Sequence, residues 1–239
     1  MRKLVFLMAA LTCSAADWTC AEREQKREKQ LSVESVGKLQ VVVKRKLGDE
    51  PLGAPVMVGR LVTNKGIKDL VFIAGGSDVY AVDPDLSTLF WQRRLDNAKG
   101  SVRLALGSDD DNADDDDGDI SMGIRPLFVL RGNGRISTLN AGSGAALATP
   151  KQTPEKVRDC ARKKPYDSAI ANGVRFELVE GHAKPVLRAL DATNGRELYR
   201  SGDEIEAPVG SSGLAIANGH VCFGDTKGTL YCFGFPVDL

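Results

Sequence analysis

The sequence predicts an all-β fold assembled from repeated hairpins, and three observations carry that prediction. Among 239 residues 25 are glycine and only 6% are aromatic, with apolar residues in short runs. That pattern suits strands joined by tight turns better than a helix bundle. A turn-centred segment occurs three times: AVDPDLSTLFW (81–91), TLNAGSGAALA (138–148) and ALDATNGRELY (189–199). The copies start 57 and 51 residues apart, a period that fits a four-stranded propeller blade with loop insertions.

Each copy has a physical logic. A small and an apolar residue precede Asp83, Asn140 or Asp191, and a carboxylate or amide at a strand end can accept the backbone N–H two residues on and so start a turn. Ser87, Gly144 or Gly195 follows near the turn's end, where positive φ favours glycine. A second strand follows and ends in Trp91 or Tyr199 in two copies. These aromatics are expected to pack between neighbouring repeat units. Further strands are expected at 40–47, 55–59, 70–74, 79–82, 127–130, 136–139, 169–179 and 186–190, with three more in 214–234. The final run lacks a fourth strand, and residues 40–47 (QVVVKRKL) could supply it, leaving no open edge at the seam.

The N-terminus reads as an export leader. Arg2 and Lys3 precede an apolar run, and Ser14, Ala15 and Ala16 lead to a cleavage site before Asp17. Thr12 before Cys13 argues against lipid attachment. The expected organisation is a signal peptide at 1–16, a charged N-terminal arm at 17–37, whose residues 20–30 suit a solvated arm or short helix, and a β-domain at 38–239 with an acidic loop near 108–119. The compartment would be periplasmic or extracellular, with no membrane-spanning segment in the mature chain. Export leaves Cys20, Cys160, Cys222 and Cys232 in oxidising surroundings. Cys222 and Cys232 flank the 225–228 turn and would lie opposite each other, as a bridge or as two buried thiols.

Charge excludes one class of partner. Lys plus Arg number 32 and Asp plus Glu number 32, and basic residues do not interleave with aromatics, so no nucleic-acid footprint exists. Eight Asp occupy 109–119. Asp114, Asp115, Asp117 and Asp119 are the candidate calcium ligands, because hard cations take clustered oxygens. The EF-hand spacing fails: Ala113 falls at the first ligand position and Ile124 at the twelfth. A solvated acidic loop is the competing reading. His182 and His220 lack a metal-ligand partner at useful spacing and read as exposed turn residues. Gly132 to Gly134 reads as a hairpin turn and not a phosphate loop, because no helix follows it.

ALDATNGRELYRSGD (189–203), GLAIANGHVCFGDTKGTLYCFG (213–234) and VYAVDPDLSTLFWQRRL (79–95) resemble the repeats of the PQQ-type β-propeller family. The resemblance implies an exported propeller, here shortened to about four blades, with residues 40–47 closing the last. That family includes dehydrogenases that use PQQ and calcium as well as non-catalytic scaffolds, so PQQ and calcium are possible cofactors. The adjacent cysteine pair that would hold the quinone is missing, and no calcium or base set can be placed. The expectation is therefore a non-catalytic module that binds a protein partner, with a reduced quinoprotein dehydrogenase as the alternative.

Overall fold

The computed structural model describes residues 17–20, 23–95, 102–107, 124–164, 166–180, 184–210 and 212–236. These residues are nearly all β, arranged as four mainly antiparallel sheets. The chain begins with a two-residue strand β1 (Glu24–Gln25) and, after a 3-10 turn at Val36–Lys38, runs through β2 (Gln40–Lys46). The first sheet is the meander β3 (Val56–Thr63), β4 (Gly66–Gly75), β5 (Asp78–Asp83) and β6 (Thr88–Arg94). The second is β7 (Val102–Leu106), β8 (Pro126–Arg131), β9 (Ile136–Asn140) and a short β10 (Ala146–Leu147). A single described helix, α1 (Glu155–Arg162), precedes the third sheet: β11 (Ser168–Ala171), β12 (Val174–Val179), β13 (Val186–Asp191) and β14 (Glu197–Arg200). The last sheet holds β15 (Ala215–Ala217), β16 (His220–Gly224) and β17 (Thr229–Gly234), with β2 as its outer strand beside β17.

The strands follow from their side chains. In β4, Leu70, Val71, Phe72 and Ile73 are all fully buried, which marks a strand covered on both faces rather than one face wet. Val71 and Ile73 join a core shared with the third and fourth sheets, while Leu70 and Phe72 join a core shared with the second. The alternation of the strand thus divides two cores between neighbouring sheets. The stretch 149–167, where the sequence offers no repeat pattern, contains α1, whose Val157 packs on Ala105, Phe128 and Leu130.

The expectation of a solvated arm or short helix at 20–30, outside the core, is corrected. Trp18 and Leu31 are fully buried, and Gln25 and Glu28 retain 5% and 3% exposure. The reason the burial is invisible in composition is that two inward positions are polar. Glu28 accepts from the backbone N–H groups of Gln30 at 2.7 Å, Leu31 at 3.2 Å and Gly219 at 3.1 Å. Such backbone donors replace the water that a buried carboxylate loses. Charged Arg23, Glu24, Lys26, Arg27 and Lys29 face outward between them.

Candidate functional site

The repeat turns form as local hydrogen-bonded units. Asp83 Oδ1 accepts from the N–H groups of Asp85 and Leu86, both at 3.1 Å. Asn140 Oδ1 accepts from Gly142 at 2.8 Å and Ser143 at 3.1 Å. Asp191 Oδ1 accepts from Thr193 N at 2.9 Å and from its hydroxyl at 2.5 Å, while Oδ2 accepts from Asn194 at 2.9 Å. These donors, the Thr193 hydroxyl first, hold the Asp191 carboxyl below the usual carboxylate range. Ser87, Gly144 and Gly195 sit at φ of 52°, 70° and 75°, the left-handed region that closes each turn.

The repeat aromatics reach neighbouring sheets. Trp91 Nε1 donates to Ala141 O at 2.8 Å across the boundary between the first and second sheets. Its indole lies against Gly144, where a Cβ would stand 2.8 Å from Trp91 Cδ2. Glycine is therefore needed here twice, for φ and for space. Tyr199 meets Phe233 of the last sheet edge-on at 6.3 Å. Burial pushes its hydroxyl up to about 12, with Glu204 adding to the effect. The second copy has Ala148 at the aromatic position, after a β10 of only two residues.

The first strand of every sheet meets one short N-terminal segment. Trp18 exchanges backbone hydrogen bonds with Met57 of β3, both at 2.9 Å. Thr19 O accepts from Leu106 N of β7 at 2.9 Å, and Arg23 O accepts from Ile170 N of β11 at 2.8 Å. β1 continues in parallel beside β11. Gln25 Nε2 donates to Asp17 O at 2.8 Å and approaches Ile216 O of β15 at 3.5 Å. Asp17 pairs with Arg125 at 2.8 Å and accepts from Gly59 N at 2.9 Å. Residues 17–20 and 23–25 thus touch β3, β7, β11 and β15. Sequence reasoning missed this segment because its partners lie far away along the chain.

Two disulfides are present. Cys222 and Cys232 are directly opposed on β16 and β17, with Cα atoms 4.1 Å apart. Cys20 joins Cys160, fastening the N-terminal segment to α1 across a sequence separation of 140. No local spacing could have announced that second bond.

Other expected site residues fall differently. Asp114, Asp115, Asp117 and Asp119 lie outside the described residues, as does His182. The reading of His220 as an exposed turn residue is corrected: it is 5% exposed. It opens β16, an inner strand flanked by β15 and β17. Nδ1 lies 2.9 Å from Asn218 O, and Nε2 lies 3.6 Å from Asp85 of the first sheet.

The described residues do not fit a calcium–quinone centre. No three of their His, Cys, Asp and Glu side chains converge in a metal-holding group. All four described cysteines are committed to disulfides. No helix among the described residues is long and apolar enough to cross a membrane.

A cavity of about 510 Å³ opens between the 48–52 connection and the first sheet. That connection is anchored to the first and last sheets: Leu47 N donates to Gly228 O at 2.9 Å, Leu52 N to Asp225 O at 3.1 Å, and Gly53 N to Ala74 O at 2.7 Å. Asp49, Glu50, Asp78, Tyr80 and Arg94 supply its polar lining. Burial, aided by Asp78, raises the Tyr80 hydroxyl and keeps it protonated.

No family model and no curated protein matches this chain. Among solved structures, a europium-containing methanol dehydrogenase overlays with a TM-score of 0.34 at 14% identity, covering 81% of this chain and 34% of that one. BamB from Moraxella catarrhalis gives 0.27 at 10% identity, covering 82% and 98%. A computationally designed protein, Ika8, gives 0.24 at 13% identity, covering 82% and 58%. This chain therefore spans about a third of the length of the methanol dehydrogenase. Overlaps this loose decide neither fold family nor function.

Proposed function

We propose that this protein is an exported, propeller-like module of the PQQ-repeat type that binds a protein partner and performs no catalysis. The four sheets act as blades, with β2 completing the last. The observation that carries the reading is the placement of residues 17–20 and 23–25, which touch the first strand of every sheet. In such a propeller the first strands of the blades line the axial space, and the contacts of this segment with those strands support its lying there in place of a cofactor. Recognition then falls to the rims and their loops. The Trp91 and Tyr199 contacts support a blade-to-blade arrangement. The two disulfides support an oxidising compartment.

The test is a calorimetric titration of the exported, processed protein with PQQ in calcium-containing buffer. The reading predicts no binding heat from a folded sample, and N-terminal sequencing that starts at Asp17. Tight, one-to-one, calcium-dependent binding would overturn it in favour of a quinoprotein dehydrogenase.

A further inference from the structure

The cavity between the 48–52 connection and the first sheet is built like a receptor for a positive charge. Three carboxylates line it, Asp49, Glu50 and Asp78, against one guanidinium, Arg94. Asp49 sits at the mouth, where Lys46 already pairs with it at 3.1 Å. The side chains of Glu50 and Arg94 make no hydrogen bond or ion pair with any described residue, the Asp78 carboxylate accepts from Gln92 at 3.2 Å, and Arg94 stands opposite Asp78 in the β5–β6 pairing. The acidic groups would mean little alone, since carboxylates at a surface are commonly just solvated. The second observation is Tyr80. The residue is only 4% exposed, yet its hydroxyl has no hydrogen-bond partner among the described residues. A Cβ on Gly48 would lie 3.1 Å from that oxygen, which places it at the cavity wall. The ring is packed away, while the unpartnered oxygen stays reachable from the cavity that Tyr80 lines.

The walls are also preformed. Gly76 has φ of 57°, and a Cβ there would stand 2.8 Å from Glu50 Cγ. The stem of Glu50 therefore rests on a glycine, which fixes where its carboxylate projects. The hydrogen bonds from Leu47, Leu52 and Gly53 hold the connection that carries Glu50 to both the first and the last sheet. A site whose polar groups are held before binding loses little freedom when a ligand arrives.

We propose that this cavity receives the basic side chain, Lys or Arg, of a polypeptide partner, with Glu50, Asp78 and the Tyr80 oxygen accepting from its N–H groups. This rests on the binding-module reading and names the partner's chemistry. Carboxylates and a neutral phenol oxygen all accept, and an ammonium or guanidinium offers donors only, so the sets are complementary. Arg94 sits on the rim and works against the cation, so the site is not at its electrostatic maximum. A cavity of about 510 Å³ exceeds one side chain and has room for the backbone that carries it, within the roughly 300–1,000 Å³ usual for specific sites.

The test uses the isotopically labelled, processed full chain and three blocked tripeptides, Ala-Lys-Ala, Ala-Arg-Ala and Ala-Leu-Ala, with cadaverine as a free diamine. The Lys or Arg peptide should shift the amide signals of Gly48, Glu50, Gly76 and Asp78 in a saturable way. The Leu peptide should not, and cadaverine should bind less tightly than the peptides. The E50Q/D78N double variant should lose about tenfold in affinity, the scale of one charge-assisted hydrogen bond. Binding should weaken further as salt rises. Arg94→Glu should tighten it, a gain that misfolding cannot imitate. Equal shifts from the Leu peptide, shifts scattered over other surfaces, tighter binding of cadaverine, or no response to Arg94→Glu would each overturn the assignment. Failure here with no PQQ binding would remove the cavity and leave the module. PQQ binding would remove the module reading itself.

Discussion

The two repeat hairpins that carry Trp91 and Tyr199 and the N-terminal segment at 17–25 solve the same problem, joining one sheet to the next, by opposite means. The hairpins do it with residues a few positions apart. Asp191 organises its turn through Thr193 and Asn194, and the aromatic that follows reaches the neighbouring sheet. The N-terminal segment does it with partners from Met57 to Ile216. Local encoding gives many small, replaceable contributions. Distant encoding concentrates stability in a few bonds that fix a large loop of chain. The two disulfides repeat the contrast, one closing a separation of 10 residues and the other 140.

The largest expected effect follows from that contrast. In a chain-entropy account, the Cys20–Cys160 bond stabilises by about 5 kcal/mol and the Cys222–Cys232 bond by roughly 3 kcal/mol. Urea unfolding of Cys20→Ala/Cys160→Ala should therefore show the greater loss. A greater loss from Cys222→Ala/Cys232→Ala would place the weight of the fold in the last sheet instead of the N-terminal segment. Next, Trp18→Ala should destabilise by about 3–5 kcal/mol, as for a large aromatic removed from a core. A loss near zero would mean that residues 17–25 decorate the sheets without joining them.

Much of the fold was legible because its instructions are local. The turns at Asp83, Asn140 and Asp191 are written within a few residues each, and the β15–β16 and β16–β17 hairpins turn at a glycine-containing pair and tetrad, whereas the single strand expected at 169–179 is instead the β11–β12 hairpin, turned at Asn172-Gly173. The pairing of β2 with β17 is distant, yet an incomplete last sheet and an orphan strand pointed to it. The 17–31 stretch was illegible for a specific reason: two of its inward residues, Gln25 and Glu28, look like solvated ones until their backbone partners are known. His220 was misread likewise: its place at a strand start after Asn-Gly is legible, but the burial of its ring is set by residues distant in the chain. The cavity could not be foreseen from sequence, since Glu50, Asp78 and Arg94 belong to separate connections and strands.

Smaller effects sharpen the hairpin side of the comparison. Gly144→Ala must strain a left-handed φ and press on Trp91, and should cost about 1–3 kcal/mol by thermal unfolding. Trp91→Phe keeps the ring packing but loses the bond to Ala141 O, for about 1 kcal/mol. If Gly144→Ala is silent, the first and second sheets do not meet through Trp91.

The smallest effects are in pH. The lowered Asp191 carboxyl favours the folded state above its unfolded pKa, and that stability should fade as pH falls through the folded value. Tyr199 has the opposite sign. Its hydroxyl is raised from 10.0 to about 12, so stability present below 10.0 should fade as pH rises across that window. Unfolding midpoints of Asp191→Asn and Tyr199→Phe against the parent chain would show each slope flatten in its own window. A slope unchanged in either variant would assign it to another group.

The most direct measurement is non-reducing peptide mapping of the protein recovered from the exporting cell. The account predicts a Cys20–Cys160 cross-linked peptide pair and a Cys222–Cys232 pair, with an N-terminus at Asp17. The first pair would establish that the N-terminal segment is fastened to α1 and that the chain matured where disulfides form. Free Cys20 and Cys160, or Cys20 joined to Cys222 or Cys232, would contradict the placement of that segment and the reading of function built on it.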